Sequence, residues 1–492
     1  MKKYILSLLT LLAVYSCNDD RGLLDTEPQG DVSQQQINDL VAEFPEKAVT
    51  ALSGAEAGNN LYLIQFNTNG TAGHDDFGYM SARTGLDHMT NDLTMSGSHW
   101  FVHYYNYTAR NVESVRTETI WRFYYKVIFN MNNVLSAESL IGTPPDAGQG
   151  YVKGRALAVR ANAYMDLLNT YAKGSDGIPY ISLGDRVINN AGRVPTSTVW
   201  EYIIEDLNQS YTLLEGFSRS SKEQVNQKIV AGFLARAYMF TKNYPKAAEF
   251  AAIAKTGGTL MTPDELKDGF QHIDNQEWMW GADVSTSTST VYASFFSQMS
   301  NISPGYAGLL GVTRAIDSRL YSKIPDNDYR KEWFMAEDGV VVGPYDGEEY
   351  ELSKYDNVKF YDNTFFEGDY IFMRAAEFYL IEAEALARTG NETGARSVLE
   401  TLVKTRTIDG NYSAAGYAGT ALLEEIRKQR KIELWGEGGE WWEMKRNGED
   451  LERNYTGTNH PSFGRLNIPA SDDRFRFMIP QAELNANPNV SN

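Results

Sequence analysis

Cysteine is almost missing from this chain of 492 residues, in which Cys17 is the single example. One thiol cannot form an internal disulfide, and it cannot supply the several thiolate ligands of a structural zinc site. The folded protein must therefore be stable without covalent cross-links.

Long apolar runs are missing as well. A helix that crosses a membrane needs about 20 consecutive apolar residues. The N-terminal apolar run, residues 4–14, is roughly half that length and is soon followed by Asn18, Asp19 and Asp20. This run is therefore too short to span a bilayer.

The N-terminus instead has the order of a cleavable signal peptide. Lys2 and Lys3 precede the apolar run, and the small residue Ser16 follows it directly before Cys17. A lone cysteine at this point resembles a lipoprotein signal, in which the thiol is acylated and the lipid anchors an otherwise soluble chain. We expect Cys17 to be lipidated; the alternative is an ordinary cleavage site with a chance cysteine.

Basic residues are fewer than acidic residues. Lys and Arg number 45 against 64 Asp and Glu, which gives a net charge of −19 at pH 7. Proteins that bind nucleic-acid phosphates need clustered Lys and Arg. We therefore expect no nucleic-acid partner.

Aromatic residues, in contrast, are plentiful at 12%, with 30 Tyr and 9 Trp. Tyr and Trp offer a flat apolar face together with a polar edge. This composition favours the recognition of sugars or peptides.

Helical periodicity dominates the chain after a short polar segment. The clearest pattern covers residues 371–388, where apolar residues recur at helical spacing and Gly390 and Asn391 end the helix. Further helices are predicted at residues 119–140, 153–172, 197–215 and 422–445.

An internal repeat relates two of the helical segments. Three residues of one match three of the other at one constant offset, namely Ala237, Asn243 and Ala247 against Ala385, Asn391 and Ala395. Each stretch reads as helix, tight turn, helix, with small residues where two helices cross closely. The pattern predicts a mainly α-helical fold with about four tetratricopeptide-like helical pairs.

Two regions lose the helical periodicity, at about residues 61–103 and 257–370. We expect long loops with a few short strands there, packed on the helical frame, with Trp278 and Trp280 in the core. Loops on a rigid scaffold usually carry binding residues. The predicted organisation is a signal peptide at residues 1–16, a lipidated tether at 17–33 and a single domain at 34–492.

The densest aromatic cluster is HWFVHYYNY at residues 99–107. Trp100 and Tyr104 lie on the same side whether the segment is helical or extended, so they can form a platform for a sugar ring. A core position is the alternative for each of them. The remaining candidate ligand-binding residues are Arg83, Asn91 and Asp92 before this cluster, and Tyr292, Phe296 and Tyr306 in the second irregular region.

Catalytic carboxylates are not predicted. A glycosidase needs an acid and a nucleophile or base, and the segment at residues 433–443 offers four glutamates, Glu433, Glu437, Glu440 and Glu443. The same segment is rich in Arg and Lys, which can neutralise these glutamates as ion pairs. We therefore expect no catalytic residue.

Metal sites are not predicted either. His99 and His103 lack the glutamate of the zinc-protease pattern. Asp326 and Asp328 resemble the start of a calcium loop, but Arg330 stands where a ligand belongs. We expect Asp328 and Arg330 to form a structural ion pair.

Several segments together resemble the SusD/RagB family of outer-membrane nutrient-binding lipoproteins. They are ALAVRANAYMDLLNTYAKGSDGIPY at residues 156–180, the helix start at Arg193, Pro195 and Thr196, FMRAAEFYLIEAEA at 372–385, RKQRKIELWGEGGEWWEMKR at 427–446, and a tail with Pro480, Glu483, Asn487 and Pro488. The resemblance implies a helical body that acts as a lid on a SusC-like TonB-dependent outer-membrane transporter. It also implies an irregular binding face, to which the region of Trp100 often contributes an aromatic residue. Ligands in the family are mostly glycans, with peptides in some members.

From these observations we expect a lipid-anchored protein of the outer membrane, facing the cell exterior, that binds oligosaccharides and delivers them to the transporter. We expect no cofactor, no metal and no enzymatic activity. Peptide capture by the same architecture is the alternative within binding proteins. A surface glycoside hydrolase is the alternative from another class.

Overall fold

The computed structural model describes residues 47–70, 73–137, 147–181 and 191–492, together with Asp39, Glu43 and Phe44. The expected signal peptide, the lipidation site Cys17 and the tether at residues 17–33 lie outside the described residues.

Helices form the frame of the described chain, and the expected mainly α-helical fold with a few short strands is confirmed. The helices are α1 (Ala48–Tyr62), α2 (Tyr79–Asp87), α3 (Val102–Tyr105), α4 (Val115–Leu135), α5 (Ala147–Tyr171), α6 (Thr196–Leu213), α7 (Gln227–Phe240), α8 (Tyr244–Lys255), α9 (Phe295–Met299), α10 (Tyr306–Leu309), α11 (Ser318–Tyr321), α12 (Ala375–Arg388), α13 (Glu392–Lys404), α14 (Gly419–Glu433), α15 (Glu440–Asn447) and α16 (Gln481–Ala486).

The strands pair two by two in antiparallel order. The pairs are β1 (Leu93–Met95) with β5 (Arg314–Ile316), β2 (Asp176–Pro179) with β3 (Arg193–Pro195), β4 (Trp278–Ala282) with β8 (Tyr370–Arg374), β6 (Gly339–Val342) with β7 (Glu349–Leu352), and β9 (Leu451–Glu452) with β10 (Asn467–Ile468). In the first pair Met95 lies opposite Arg314, and in the third Trp278 lies opposite Arg374. Trp278 and Trp280 are buried in β4, as expected.

Consecutive helices pack against each other: α4 on α5, α5 on α6, α7 on α8, and α12 on α13. The predicted repeat corresponds to α7–α8 and α12–α13, and α8 packs on α12 to join the two units. Their four matching alanines, Ala237, Ala247, Ala385 and Ala395, are fully buried. A methyl group at these positions lets the helices approach closely.

The matching asparagines cap the second helix of each unit. The Asn391 Oδ1 atom accepts a hydrogen bond from the Gly394 backbone N–H at 3.0 Å, and Asn243 Oδ1 accepts one from Lys246 N–H at 3.4 Å. Such a side chain satisfies a helix N–H that has no partner within the helix.

Two helix predictions need correction. The helix predicted at residues 371–388 begins only at Ala375, because the apolar run before it is strand β8, buried on both faces against β4. The helix predicted at residues 422–445 is two helices, α14 and α15. Glycines with positive φ separate them, including Gly436 at 75° and Gly439 at 98°.

The first irregular region also differs from its prediction. It contains α2, whose nine residues are all buried. The helix has only nine residues, which is too short for a helical period to stand out from the irregular sequence on either side. The second region does consist of loops, short helices and short strands.

The hydrophobic core extends through most of the described chain, with a main cluster that runs from Leu52 to Val490 and a smaller one between α12, α13 and α14. None of the helices in the described ranges combines the length and the apolar character that a membrane crossing requires.

A balanced cluster of charges is buried where the second irregular region meets the helices. Its four carboxylates and four cations are Asp328, Glu277, Glu433 and Glu437, and Arg330, Arg374, Arg406 and Lys359. Glu433 alone contacts Arg374 at 2.6 Å, Arg406 at 2.8 Å and Arg330 at 2.9 Å. Burial alone would raise the pKa of Glu433, but these three guanidinium groups hold it well below its usual range.

Candidate ligand-binding site

Aromatic rings from three separate segments meet around His74. Its ring centroid lies 5.0 Å from that of Trp100, 5.4 Å from Tyr306 and 6.1 Å from Tyr292. The rings of Tyr292 and Tyr306 are themselves 4.9 Å apart. We call His74, Trp100, Tyr292 and Tyr306 the aromatic cluster.

The aromatic cluster is open to solvent. Tyr292 is 49% exposed, and the other three rings are partly exposed. The sequence placed Trp100 in one patch and Tyr292 and Tyr306 in another. The structure brings these three predicted residues together in a single surface.

Pairing of β1 with β5 brings the two irregular regions together. The Ser96 N–H donates to the Thr313 carbonyl oxygen at 3.1 Å just beyond the strand pair. Trp100 follows β1 in the chain and Tyr306 precedes β5, so this pairing positions both rings. Tyr292 is held separately, because its carbonyl oxygen accepts a hydrogen bond from the Gln298 side chain at 3.0 Å.

A cavity of about 460 Å³ adjoins the aromatic cluster. Its lining combines apolar and polar groups: Ser98, His99, Trp100, Val102, His103, Arg116, Tyr306 and Leu310. The volume lies within the range of small-molecule sites. The Arg116 side chain is held by the Asp75 carboxylate at 2.7 Å, which leaves no isolated cation in this wall.

The imidazoles of this site are neutral at physiological pH. Burial, assisted by the positive charge of Arg314, lowers the pKa of His99 to about 4. Burial also lowers the pKa of His74 and of His103 below the usual value. A neutral imidazole offers one donor and one acceptor nitrogen, which suits sugar hydroxyls.

A second cavity, of about 500 Å³, lies elsewhere, between α1, α4 and the C-terminal segment. Tyr62, Trp121 and Tyr125 contribute to its wall. Trp121 is only 4% exposed and therefore offers no open ring face. We assign the candidate site to the cavity beside the aromatic cluster, because four rings meet there and one of them, Tyr292, is 49% exposed.

Two residues predicted to bind ligand lie in the core. Tyr104 is fully buried, and its ring packs on Phe101 at 5.7 Å and on Phe477 at 6.3 Å. Phe296 is only 2% exposed. The structure therefore does not bring these two rings to the surface of the aromatic cluster.

The three predicted polar ligand residues each have a structural partner and lie apart from the aromatic cluster. Arg83 is 6% exposed and donates to the Tyr79 hydroxyl at 2.9 Å. Asp92 is 7% exposed and lies 3.3 Å from Lys431. The Asn91 amide bonds the Asp450 carbonyl oxygen and the Glu452 N–H, which fixes the chain at β9.

No pattern in the sequence pointed to His74, or to His99 as a ring neighbour of Tyr306 at 5.3 Å. His74 lies in an irregular loop without periodicity. Its place depends on a contact between regions that are more than two hundred residues apart in the chain. Both histidines become candidates only once the pairing of β1 with β5 is known, because that pairing brings them next to Tyr306.

The four glutamates of the segment 433–443 are neutralised. Glu433 and Glu437 belong to the buried charge cluster, Glu440 is paired with Arg427, and Glu443 contacts Arg446 at 2.5 Å. A glycosidase acid needs a raised pKa and access to the glycosidic bond. Burial raises the pKa of Glu440, but its carboxylate is paired with Arg427, and none of the four glutamates lines the cavity beside the aromatic cluster.

The expected ion pair between Asp328 and Arg330 is confirmed at 2.6 Å. Within the described ranges, no group of three or more His, Cys, Asp or Glu side chains is arranged to hold a metal ion.

Two family models match the chain. One is described as the SusD family and matches residues 314–492; the other is described as starch-binding associating with outer membrane and matches residues 63–239. The candidate site draws Trp100 and His74 from the second match, whereas Tyr292 and Tyr306 lie between the two.

Individual relatives cover nearly the whole chain. A SusD-like protein of Formosa agariphila is 21% identical, over 92% of this chain and 93% of its own. A crystal structure of a SusD-like carbohydrate binding protein from Bacteroides vulgatus is 25% identical, with a TM-score of 0.77 over 90% of this chain and 97% of that chain. A SusD superfamily protein from Bacteroides thetaiotaomicron has a TM-score of 0.73 at 20% identity, over 89% and 99% of the two chains.

Proposed function

This chain is a SusD-like protein, and we propose that it captures glycans at the cell surface and passes them to a TonB-dependent outer-membrane transporter. The proteins it resembles include one described as carbohydrate binding and a family described as starch-binding at the outer membrane. The proposal extends that chemistry to the aromatic cluster of this chain.

One observation carries the proposal: Trp100, Tyr292 and Tyr306 turn partly exposed rings toward one surface beside a cavity with neutral polar groups. Sugar rings stack their C–H faces on aromatic rings, while their hydroxyls need hydrogen-bond donors and acceptors. Neutral imidazoles and Ser98 supply these without a strong charge.

The number of rings matters energetically. One stacked ring buries roughly 100 Å² of apolar surface, worth about 2.5 kcal/mol before the cost of association. A micromolar dissociation constant corresponds to about 8 kcal/mol. Several rings together with hydrogen bonds are therefore needed, as the aromatic cluster and its cavity provide.

The test is binding to a panel of soluble polysaccharides and peptides, by affinity gel electrophoresis and then isothermal titration. We expect at least one polysaccharide to retard the wild-type protein and not the Trp100→Ala variant. Phe129→Ala is the control. Phe129 has the same solvent exposure as Tyr292, 49%, but it lies on α4 and outside the aromatic cluster. Binding of peptides alone would favour the peptide-capture alternative, and binding of neither would refute the proposal.

We further propose that Cys17 carries the lipid anchor and that the protein is not an enzyme. Labelling with radioactive palmitate should mark the wild type and not Cys17→Ser, and only the wild type should co-purify with a transporter from outer membranes. Incubation with the bound polysaccharide should release no sugar. Release that disappears in Glu437→Gln or Glu440→Gln would establish the hydrolase alternative.

A further inference from the structure

The aromatic surface continues beyond the aromatic cluster. The ring centroid of Tyr292 lies 5.7 Å from that of Phe366, which lies 4.9 Å from Phe365, and Phe365 lies 5.8 Å from Tyr345. Phe366 is buried, but Phe365 is 56% exposed and Tyr345 is 41% exposed. We call Phe365 and Tyr345 the distal pair.

The loop that carries Phe365 is fixed by its own hydrogen bonds. The Asp362 carboxylate accepts from the backbone N–H of Thr364 at 2.8 Å, and the Ser289 hydroxyl donates to the Phe366 carbonyl oxygen at 2.6 Å. Phe366 itself has φ at 61°, a left-handed conformation that phenylalanine rarely adopts. This loop keeps a strained residue and an exposed ring in place, which is typical of a surface kept for binding.

Tyr345 is held in a similar way in the turn between β6 and β7. The Gly343 N–H donates to the Glu348 carbonyl oxygen at 2.8 Å, and the Tyr350 hydroxyl donates to Asp346 at 2.5 Å. Asp346 also interacts with the Ser303 side chain, three residues before Tyr306. The turn is thereby attached to the loop that carries the aromatic cluster.

The charges around the distal pair have one sign. Glu348, Glu349 and Glu351 are exposed on the β6–β7 hairpin, and Glu367 follows Phe366 in the chain. Carboxylates repel a sugar that carries a carboxylate or a sulfate. A ligand unit that rests on the distal pair therefore carries no negative charge.

Building on the proposed function, we propose that the distal pair is an extension subsite, which binds a further sugar unit without negative charge of the same glycan that contacts the aromatic cluster. The row of rings from Trp100 to Tyr345, in which the buried Phe366 separates two exposed groups, gives the protein a preference for chains long enough to reach both groups. Short oligosaccharides occupy the aromatic cluster alone.

Isothermal titration against graded oligosaccharides tests this inference. The probes run from disaccharide to octasaccharide and are cut from the polysaccharide that retards the wild-type protein in the affinity gel. Wild-type affinity should rise with chain length and then level off. Phe365→Ala should weaken octasaccharide binding by about 10- to 60-fold, the upper value being the loss of one fully stacked ring, and leave disaccharide binding unchanged.

Three variants serve as controls. Tyr292→Ala should weaken binding at every length, Phe129→Ala at none, and Phe365→Tyr should behave like the wild type because it keeps the ring. The extension subsite is refuted if octasaccharide affinity is unchanged in both Phe365→Ala and Tyr345→Ala, or if Phe365→Ala weakens all lengths equally. Failure of any saccharide to retard the wild type would instead refute the proposed function itself.

Discussion

At the scale of single residues, exposure separates the aromatic side chains that can meet a ligand from those that hold the fold. Tyr292 and Phe296 are four residues apart, Tyr292 in a loop and Phe296 in the short helix α9, and Tyr292 is 49% exposed whereas Phe296 is 2% exposed. The sequence could place both in a loop-rich region. It could not tell them apart, because a five-residue helix is too short to show a period and the burial of its side chains depends on distant segments.

This contrast predicts opposite effects of two similar substitutions. Tyr292→Ala should weaken glycan binding by about 10- to 60-fold, the upper value being the loss of one fully stacked ring, with the melting temperature almost unchanged. Phe296→Ala should lower the free energy of unfolding by about 3–5 kcal/mol, the usual result of emptying a buried aromatic site. Isothermal titration and urea unfolding of both variants test these two predictions. A large loss of stability in Tyr292→Ala would show that this ring belongs to the core.

The histidines of the site predict how binding depends on pH. The pKa of His99 is lowered to about 4, and the pKa values of His74 and His103 also lie below the ordinary value for histidine. These side chains therefore stay mainly neutral while the pH remains above that ordinary value. We expect a constant dissociation constant between pH 8 and about 6.5, the ordinary pKa of histidine. Titrations across this interval check it, and a several-fold change within it would show that an imidazole in the site gains a proton there.

At the scale of elements, the helical repeat was predictable because helix periodicity, caps and turns are local properties of the sequence. The position of Trp100 in the candidate site depends instead on a non-local contact. The pairing of β1 with β5 joins segments that are more than two hundred residues apart. Short strands such as β1 leave almost no periodic signal. The sequence therefore predicted the frame and part of the site, but not the contact that assembles it.

The two repeat units differ at one turn position, and this difference predicts a stabilising substitution. Gly390 has φ at 85°, whereas the matching residue of the first unit, Lys242, has φ at 59° and is exposed. A left-handed conformation costs a residue with a Cβ atom about 1 kcal/mol. Lys242→Gly should therefore raise the free energy of unfolding by about 0.5–1 kcal/mol.

Urea unfolding measures this effect, and Gly390→Lys provides the reciprocal control. That variant should lose a similar amount of stability, because it places a side chain in the same left-handed turn. If Lys242→Gly lowers the stability, the two turns are not equivalent and the repeat is less regular than the backbone angles indicate.

At the scale of the whole molecule, the buried charge cluster joins segments from Glu277 to Glu437 without any disulfide. Its charges balance, so the arrangement is neutral as a unit. Removal of one member leaves the others buried without full compensation, which usually costs about 3–5 kcal/mol.

Glu433→Gln tests this role, since it removes one charge from the centre of the cluster and keeps the shape. We expect the free energy of unfolding to fall by about 3–5 kcal/mol. Glu249→Gln, which removes a carboxylate from an exposed pair with Lys246, should change it by less than about 1 kcal/mol. Equal effects of the two substitutions in urea unfolding would contradict a structural role for the cluster.

The proposed function requires that glycan rings stack on the surface formed by Trp100, Tyr292 and Tyr306. A crystal structure with an oligosaccharide from the retarding polysaccharide would show this contact. We predict sugar rings in contact with these three side chains and with the cavity beside them. A sugar bound elsewhere on the molecule, with this surface unoccupied, would contradict the claim.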